Sequence, residues 1–323
     1  MTPLAQLGAR LRAAGLSPRG LAAWAGSERL SAMPYLLPQL ARMPITPASA
    51  LFALFVAGDD LPVEQAPELD DLHRHELVDL VDGRVHARVA ILPLGPSLLV
   101  CDRLDTADSL DIVCWPDDSS YHLALSLPPE RYANWLDLGC GSGFAALLRP
   151  ELAHAIVGAD LNARAVRYAE LGFELSRISH VRAVTADLGD GVPSSLRNGC
   201  QLVTCNAPIP EPSGGPYRAR WRLTDETFIE RMFMHARTFL APDGMIIVHA
   251  ALDALEPVLE QLTGHRVVVA YTPDGVRGFA IAWWRPDGED RLVRARRMLA
   301  NPRPHLTYED RLDAMTRSLA PLT

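Results

Sequence analysis

Residues Trp135 to Gly143 (WLDLGCGSG) join a short apolar run to a turn with glycine at every second position: Gly139, Gly141 and Gly143. Such a turn lets the backbone take positive φ and lets a ligand approach without meeting a Cβ. The spacing is G-x-G-x-G. It departs from the dinucleotide fingerprint G-x-G-x-x-G, which would need glycine where Phe144 stands. Further polar residues stand near the ends of later apolar runs. Asp160 closes AIVGAD (155–160), Asp187 lies within VRAVTADL (181–188), and Asn206 ends QLVTCN (201–206) before Ala207-Pro208. An acid at a strand end is a two-oxygen acceptor suited to a pair of hydroxyl donors such as a ribose diol. Adenine needs an acceptor for its amino group and an apolar face for its ring. Each acid also has a plainer use. Asp160 suits a cap for the helix that starts near Asn162, and Asp187, followed by Gly189, Asp190 and Gly191, suits a turn. Together, after a glycine turn, the ligand reading is favoured.

The elements that must position these groups follow from the pattern. Ala163 to Ser176 is helical in composition, with Ala165, Ala169 and Leu171 on an apolar face. Strand, helix, strand in alternation implies a parallel sheet with right-handed crossovers, whose ligands bind at the carboxyl ends of the strands. Thr224 to Leu240 reads as a helix capped by Thr224, with Phe228, Met232 and Phe239 as its core face. Met245 to Ala251 reads as a fifth strand after the Asp243-Gly244 turn, and His249 within it as a satisfied core histidine. Arg266–Tyr271 and Phe279–Trp284 read as a closing antiparallel pair. The arginine-rich tail after Arg285 reads as helical.

These residues, in this order and spacing, resemble the class I S-adenosylmethionine-dependent methyltransferases over about Trp135 to Trp284. LDLGCGSG is similar to that family's first motif, ADLN to its second and TADL to its third. CNAPI (205–209) is similar to the N-P-P-Y/F motif of its amino methyltransferases. The resemblance implies an α/β fold: a Rossmann-like sheet of seven strands, the last reversed. It implies S-adenosyl-L-methionine as cofactor, held by Asp137, Gly139, Gly141, Gly143, Asp160, Leu161, Asp187, Leu188 and Asn206. Asp160 would accept from both ribose hydroxyls, Asp187 would meet the adenine amino group, and Leu188 would pack on the ring. The sulfonium is already an electrophile, so catalysis reduces to holding a lone pair in line with the methyl group.

On the substrate side, the resemblance gives Asn206 and the carbonyl of Ala207 the task of accepting hydrogen bonds from the target nitrogen. The family's second and fourth motif residues are proline and an aromatic, and here they are Ala207 and Ile209. Without the aromatic platform, a compact non-planar amine fits better than a nucleobase. Pro210 to Leu223 (PEPSGGPYRARWRL) reads as a loop over the substrate, with Tyr217, Arg218, Arg220 and Trp221 as contacts; arginine suits a carboxylate or phosphate. Tyr121, just before the first motif, is a candidate wall or cation–π partner for the sulfonium.

The first 120 residues differ in character. Leu4–Ala14, Leu21–Ala25, Pro44–Val56 and Glu68–Leu80 read as helices, and Arg84–Leu92 with Leu98–Cys101 as a hairpin. This suggests a mainly helical, winged-helix-like domain and linker over 1–120, ahead of a cofactor-binding catalytic domain over 121–323. Its many acids, Asp59, Asp60, Glu64 and Glu68 among them, fit dimerisation or lid duty better than phosphate contacts. Net charge is −8, and all 31 basic residues are arginine, which excludes Schiff-base and phosphate-loop lysine chemistry. Five cysteines without C-x-x-C show no metal spacing and fit reduced thiols. The broken N-terminal amphipathic stretch and the lack of a long apolar run point to a cytoplasmic protein without a membrane segment.

The favoured reading is an N-methyltransferase of a small-molecule amine in a biosynthetic pathway. A second is a methyltransferase-like enzyme in which the cofactor's own α-amine attacks the carbon next to sulfur, giving azetidine-2-carboxylic acid and methylthioadenosine. A third is methylation of rRNA or a translation protein, against which Ile209 and the acidic balance speak.

Overall fold

The computed structural model describes residues 2–40, 43–208, 227–272 and 278–297. The chain opens with α1 (Pro3–Ala13) and α2 (Pro18–Ala25). Thr2 and Ser17 cap them, each followed by proline at the first helical position, where its missing N–H costs nothing. Gly26, at φ 78°, closes α2. Next come α3 (Met33–Leu40) and α4 (Ala50–Phe52), which runs into a π-turn over Ala53–Ala57; the helix expected to start near Thr46 or Pro47 thus starts later.

The helix expected over Glu68–Leu80 is half wrong. α5 covers only Leu69–Arg74, and Val78–Val81 is strand β2. Glu76 at φ 57° breaks the helix, and Asp82-Gly83, both at positive φ, make the tight turn that folds β2 onto β3 (Arg84–Ala87). β1 (Leu61–Pro62) pairs with the other edge of β3. The expected single hairpin is therefore two ribbons, because β4 (Ala90–Leu94) pairs with β5 (Ser97–Cys101) in a sheet of their own.

From α6 (Asp118–Leu125) the α/β pattern begins. Strands β6 (Tyr132–Leu138), β7 (Ala153–Asp160), β8 (Val181–Thr185), β9 (Cys200–Asn206) and β10 (Leu240–Ala251) pair in parallel. Helices α7 (Phe144–Leu148), α8 (Ala163–Ser176), α9 (Phe228–Phe239) and α10 (Leu252–Gln261) alternate with them. β12 (Phe279–Arg285) lies antiparallel between β10 and β11 (His265–Tyr271), which is the reversed last strand anticipated. The tail corrects expectation: Arg291–Arg297 is an eighth strand, β13, parallel to β11 at the sheet edge. The full order is β13-β11-β12-β10-β9-β6-β7-β8.

One apolar cluster runs from Leu7 and Leu11 of α1 through Phe52, Leu99 and Phe173 to Ile281 and Trp283. The N-terminal elements therefore share a core with one face of the main sheet. α1 approaches α8 so closely that a Cβ on Gly8 would fall 2.0 Å from the Leu175 carbonyl oxygen. Leu7 and Leu11 are fully buried there, each contributing about 1.5–3 kcal/mol. A second cluster, including Leu136, Val203, Met232 and Trp284, fills the opposite face.

The segment between β5 and α6 is pinned across the strand ends. Buried Asp102 accepts from the Val113 N–H (2.8 Å) and pairs with Arg164. The Asn162 amide donates to the Asp111 carbonyl (2.8 Å), and Trp115 Nε1 donates to the Leu30 carbonyl (2.9 Å). Among the described residues, no helix is long and apolar enough to cross a membrane.

Candidate active site

The glycine turn leaves β6 and is tied at once to its neighbour, for the N–H groups of Gly139 and Cys140 donate to the Ala159 carbonyl at 2.7 and 3.1 Å. Gly139, Gly141 and Gly143 all have positive φ (68°, 54° and 77°). Their surroundings differ. A Cβ on Gly139 or Gly141 would meet nothing within 4 Å, so open space lies over both. A Cβ on Gly143 would strike the Phe173 ring at 2.7 Å. Gly143 is thus not an open ligand contact, as the sequence suggested, but the glycine that lets α7 start against α8.

Asp160 ends β7 beneath this turn. Its Oδ2 accepts the Gly141 N–H (2.7 Å) and its Oδ1 the Asn162 N–H (2.9 Å). Asn162, not Asp160, caps α8, accepting from the Arg164 N–H at 2.9 Å. Asp160 is buried, and both its oxygens are engaged within the protein. Leu161, next in sequence, is 52 % exposed. Asp187 is exposed beyond β8, where its backbone N–H and carbonyl each bond Asp190 at 2.9 Å. Leu188, expected on an adenine ring, is turned inward at φ 50° and buried in the second core cluster.

Asp137 also departs from expectation. It is buried, and in the β6–β9 register it stands beside Thr204, whose hydroxyl donates to its Oδ1 at 2.5 Å. Trp135 Nε1 donates in turn to the Thr204 oxygen (2.7 Å). Burial raises the Asp137 pKa to about 7. Its hydrogen-bond partner is thus Thr204 within the sheet, and its exposure, 3 %, equals that of Asp160.

Tyr121 is likewise turned away. Its hydroxyl accepts the Leu30 N–H (3.1 Å), the Phe144 ring packs against it at 4.8 Å, and the Arg29 guanidinium lies 4.9 Å over its face. The cation on this ring belongs to the protein. Burial pushes its pKa up to about 12.

Asn206 closes β9 one residue past the Leu138–Cys205 pair, level with the start of the glycine turn. Its Nδ2 donates to Ser119 Oγ (2.9 Å), and its Oδ1 lies 3.0 Å from His249 Nδ1. His249 Nε2 meets the Tyr271 hydroxyl at 2.5 Å, which meets His122 Nδ1 at 2.8 Å. The Ala207 N–H donates to the His249 carbonyl (2.9 Å). Burial lowers the His249 pKa to about 4 and the His122 pKa to about 3, so both rings are neutral at pH 7. His122, Tyr271 and Ser119 were missed from sequence. The available signal was polar residues closing apolar runs, as Tyr271 closes RVVVAY. Ile209, Tyr217, Arg218, Arg220, Trp221 and the expected cap Thr224 lie outside the described residues.

Residues 115–275 match the model of the methyltransferase small domain. Among solved structures, the chain is similar to a predicted O-methyltransferase from Agrobacterium tumefaciens (13 % identity, 61 % of this chain and 96 % of that one, TM-score 0.43). It is similar to a ribosomal protein L11 methylase from Lactobacillus delbrueckii subsp. bulgaricus (16 %, 51 % and 77 %, TM-score 0.38). A third is a SAM-dependent methyltransferase from Thiobacillus denitrificans in complex with S-adenosyl-L-homocysteine (18 %, 43 % and 50 %, TM-score 0.31). A search of curated protein sequences finds no match.

Two measurements check the geometry. Gly143→Ala combines positive-φ strain with overpacking on Phe173 and should cost about 2–4 kcal/mol in denaturant unfolding; Gly139→Ala, which has strain alone, should cost about 1–2 kcal/mol. Equal losses would refute the distinction. The second concerns pH. Between the unfolded histidine value near 6.5 and the folded values of about 4 and 3, the unfolded chain binds protons that the native state refuses. The histidine contribution to stability is therefore full above about pH 6.5 and falls as pH drops. Asp137 works in the opposite sense over about pH 4 to 7, since its folded pKa is raised. His122→Gln should lower the slope of unfolding free energy against pH by about one proton, roughly 1.4 kcal/mol per pH unit between pH 5 and 6. An unchanged slope would mean that His122 is not held neutral.

Proposed function

Because this chain carries a methyltransferase small domain and is an S-adenosylmethionine-dependent transferase, we propose that it methylates the nitrogen of a compact, non-planar small-molecule amine. The observation that carries this reading is the Asn206 carboxamide. It is held at both ends by Ser119 and His249, at the height where the glycine turn leaves the sheet.

The residues present fit the cofactor. The open space over Gly139 and Gly141 is a cradle that side chains would fill, and Asp160 beneath it is a carboxylate acceptor suited to a ribose diol. Leu161 is the exposed apolar side chain beside that acid, and Asp187 is the exposed acid at the next strand end, a pair suited to adenine. Bound there, S-adenosylmethionine supplies an electrophilic methyl group and departs as a thioether. Asn206 Oδ1, with the Ala207 carbonyl, accepts N–H bonds from the amine and so aims its lone pair. His249 has both ring nitrogens engaged within the fold and is not proposed as a base. The net charge of −8 offers no broad surface for a polyanion, which sets rRNA aside as the preferred substrate.

Two experiments test this. Asp160→Ala should weaken calorimetric binding of S-adenosylhomocysteine by about 2–3 kcal/mol, roughly 30- to 150-fold; unchanged affinity would remove Asp160 from the cofactor site. Methyl-labelled S-adenosylmethionine incubated with a panel of small amines should place label on an amine, and Asn206→Ala should cut that rate roughly 100-fold. Methylthioadenosine formed without any amine would overturn the reading in favour of cyclisation. Label recovered in RNA or protein instead would overturn it in favour of a macromolecular acceptor.

A further inference from the structure

The hydrogen bonds around Asn206 form a chain longer than the site itself, and one end of it has a fixed sense. Asp117, at the N-terminus of α6, offers its Oδ1 to the Ser119 hydroxyl at 2.6 Å. The Ser120 N–H also reaches that oxygen, at 3.3 Å. A carboxylate only accepts, so the single Ser119 proton points at Asp117. Ser119 Oγ can then present only lone pairs to Asn206, 2.9 Å away, and Asn206 must show it Nδ2. That leaves Oδ1 facing His249 Nδ1 at 3.0 Å, which must carry the ring proton. His249 is neutral, so its Nε2 is an acceptor and takes the Tyr271 proton at 2.5 Å. The Tyr271 oxygen in turn accepts from His122 Nδ1 at 2.8 Å. Reversing any member would set two lone pairs or two protons against each other.

We propose that Asp117, acting through Ser119, sets which way the Asn206 carboxamide faces, and that His249, Tyr271 and His122 lock it from the other side. Asp117 and Ser119 are positioning residues. Ser119 and His122 lie three apart on α6, on one face of the helix, so this single short helix grips both ends of the chain. A flipped carboxamide would present an N–H donor where Oδ1 now stands and could not accept from an amine there. That consequence rests on the methyl-transfer reading; the orientation itself does not.

The test reads the histidine tautomers by nitrogen-15 NMR in protein labelled at histidine, with no cofactor or acceptor added. Its failure is thus separate from any failure of methyl transfer. His249→Gln and His122→Gln assign the two rings. In the unmodified protein both should carry the proton on Nδ1, the form that free neutral imidazole side chains favour less. A His249 proton on Nε2 would overturn the proposal. Ser119→Ala should release the constraint and shift His249 to a mixed or Nε2–H signature, whereas Ser119→Thr, which keeps the hydroxyl, should retain the original one. An unchanged His249 signature in folded Ser119→Ala would also overturn it. Should Ser119→Ala fail to fold, Asp117→Asn, whose amide can donate as well as accept, should give the same loss of a single tautomer; retention there would count equally against the proposal.

Discussion

Parallel pairing in register is the constraint from which the site follows. β6, β9 and β10 lie side by side, and their ladders set Asp137 beside Thr204 and Asn206 beside His249. β7 brings Asp160 up next to the turn that leaves β6. Because side chains alternate across a strand, a slip of one residue would turn each of these groups to the other face. The apolar faces forbid that slip, since Leu136, Val203, Ile246 and Val248 would leave the second core cluster. Packing of ordinary aliphatic residues therefore holds the polar edge in alignment.

The part of this edge that was legible in the sequence is the part built locally. Gly139, Gly141 and Asp160 belong to short strand-to-turn units whose residue types report their own backbone, and α8 was readable residue for residue. The partners of Asn206 come from α6, β10 and β11, and no spacing in the sequence ties His122 to Tyr271, 149 positions away. Tyr121 and Gly143 were noticed for the right chemistry and given the wrong neighbour. An aromatic ring does not say which cation will cover it, and a glycine does not say whether a ligand or a phenylalanine needs the space. Asp82-Gly83 was a missed signal of another kind, for it is a local turn pair that marks β2 and β3 and argues against a helix through Leu80.

Electrostatically, the site is quiet at its centre. Two histidines, a tyrosine and an asparagine are stacked at the strand ends without a net charge among them, each bonded to the next. A charge in that place would cost several kcal/mol in desolvation, whereas a satisfied neutral hydrogen bond contributes about 1 kcal/mol. Two acids lie near it, Asp117 as the cap of α6 and Asp160, itself buried, under the glycine turn.

Leu30 gives the N-terminal region a mechanical role. Its N–H is held by the Tyr121 hydroxyl and its carbonyl by the Trp115 indole, so both backbone polar groups of one N-terminal residue are held by residues flanking Asp117. These two bonds tie the N-terminal region to the helix whose Ser119 holds the amide at the tip of β9.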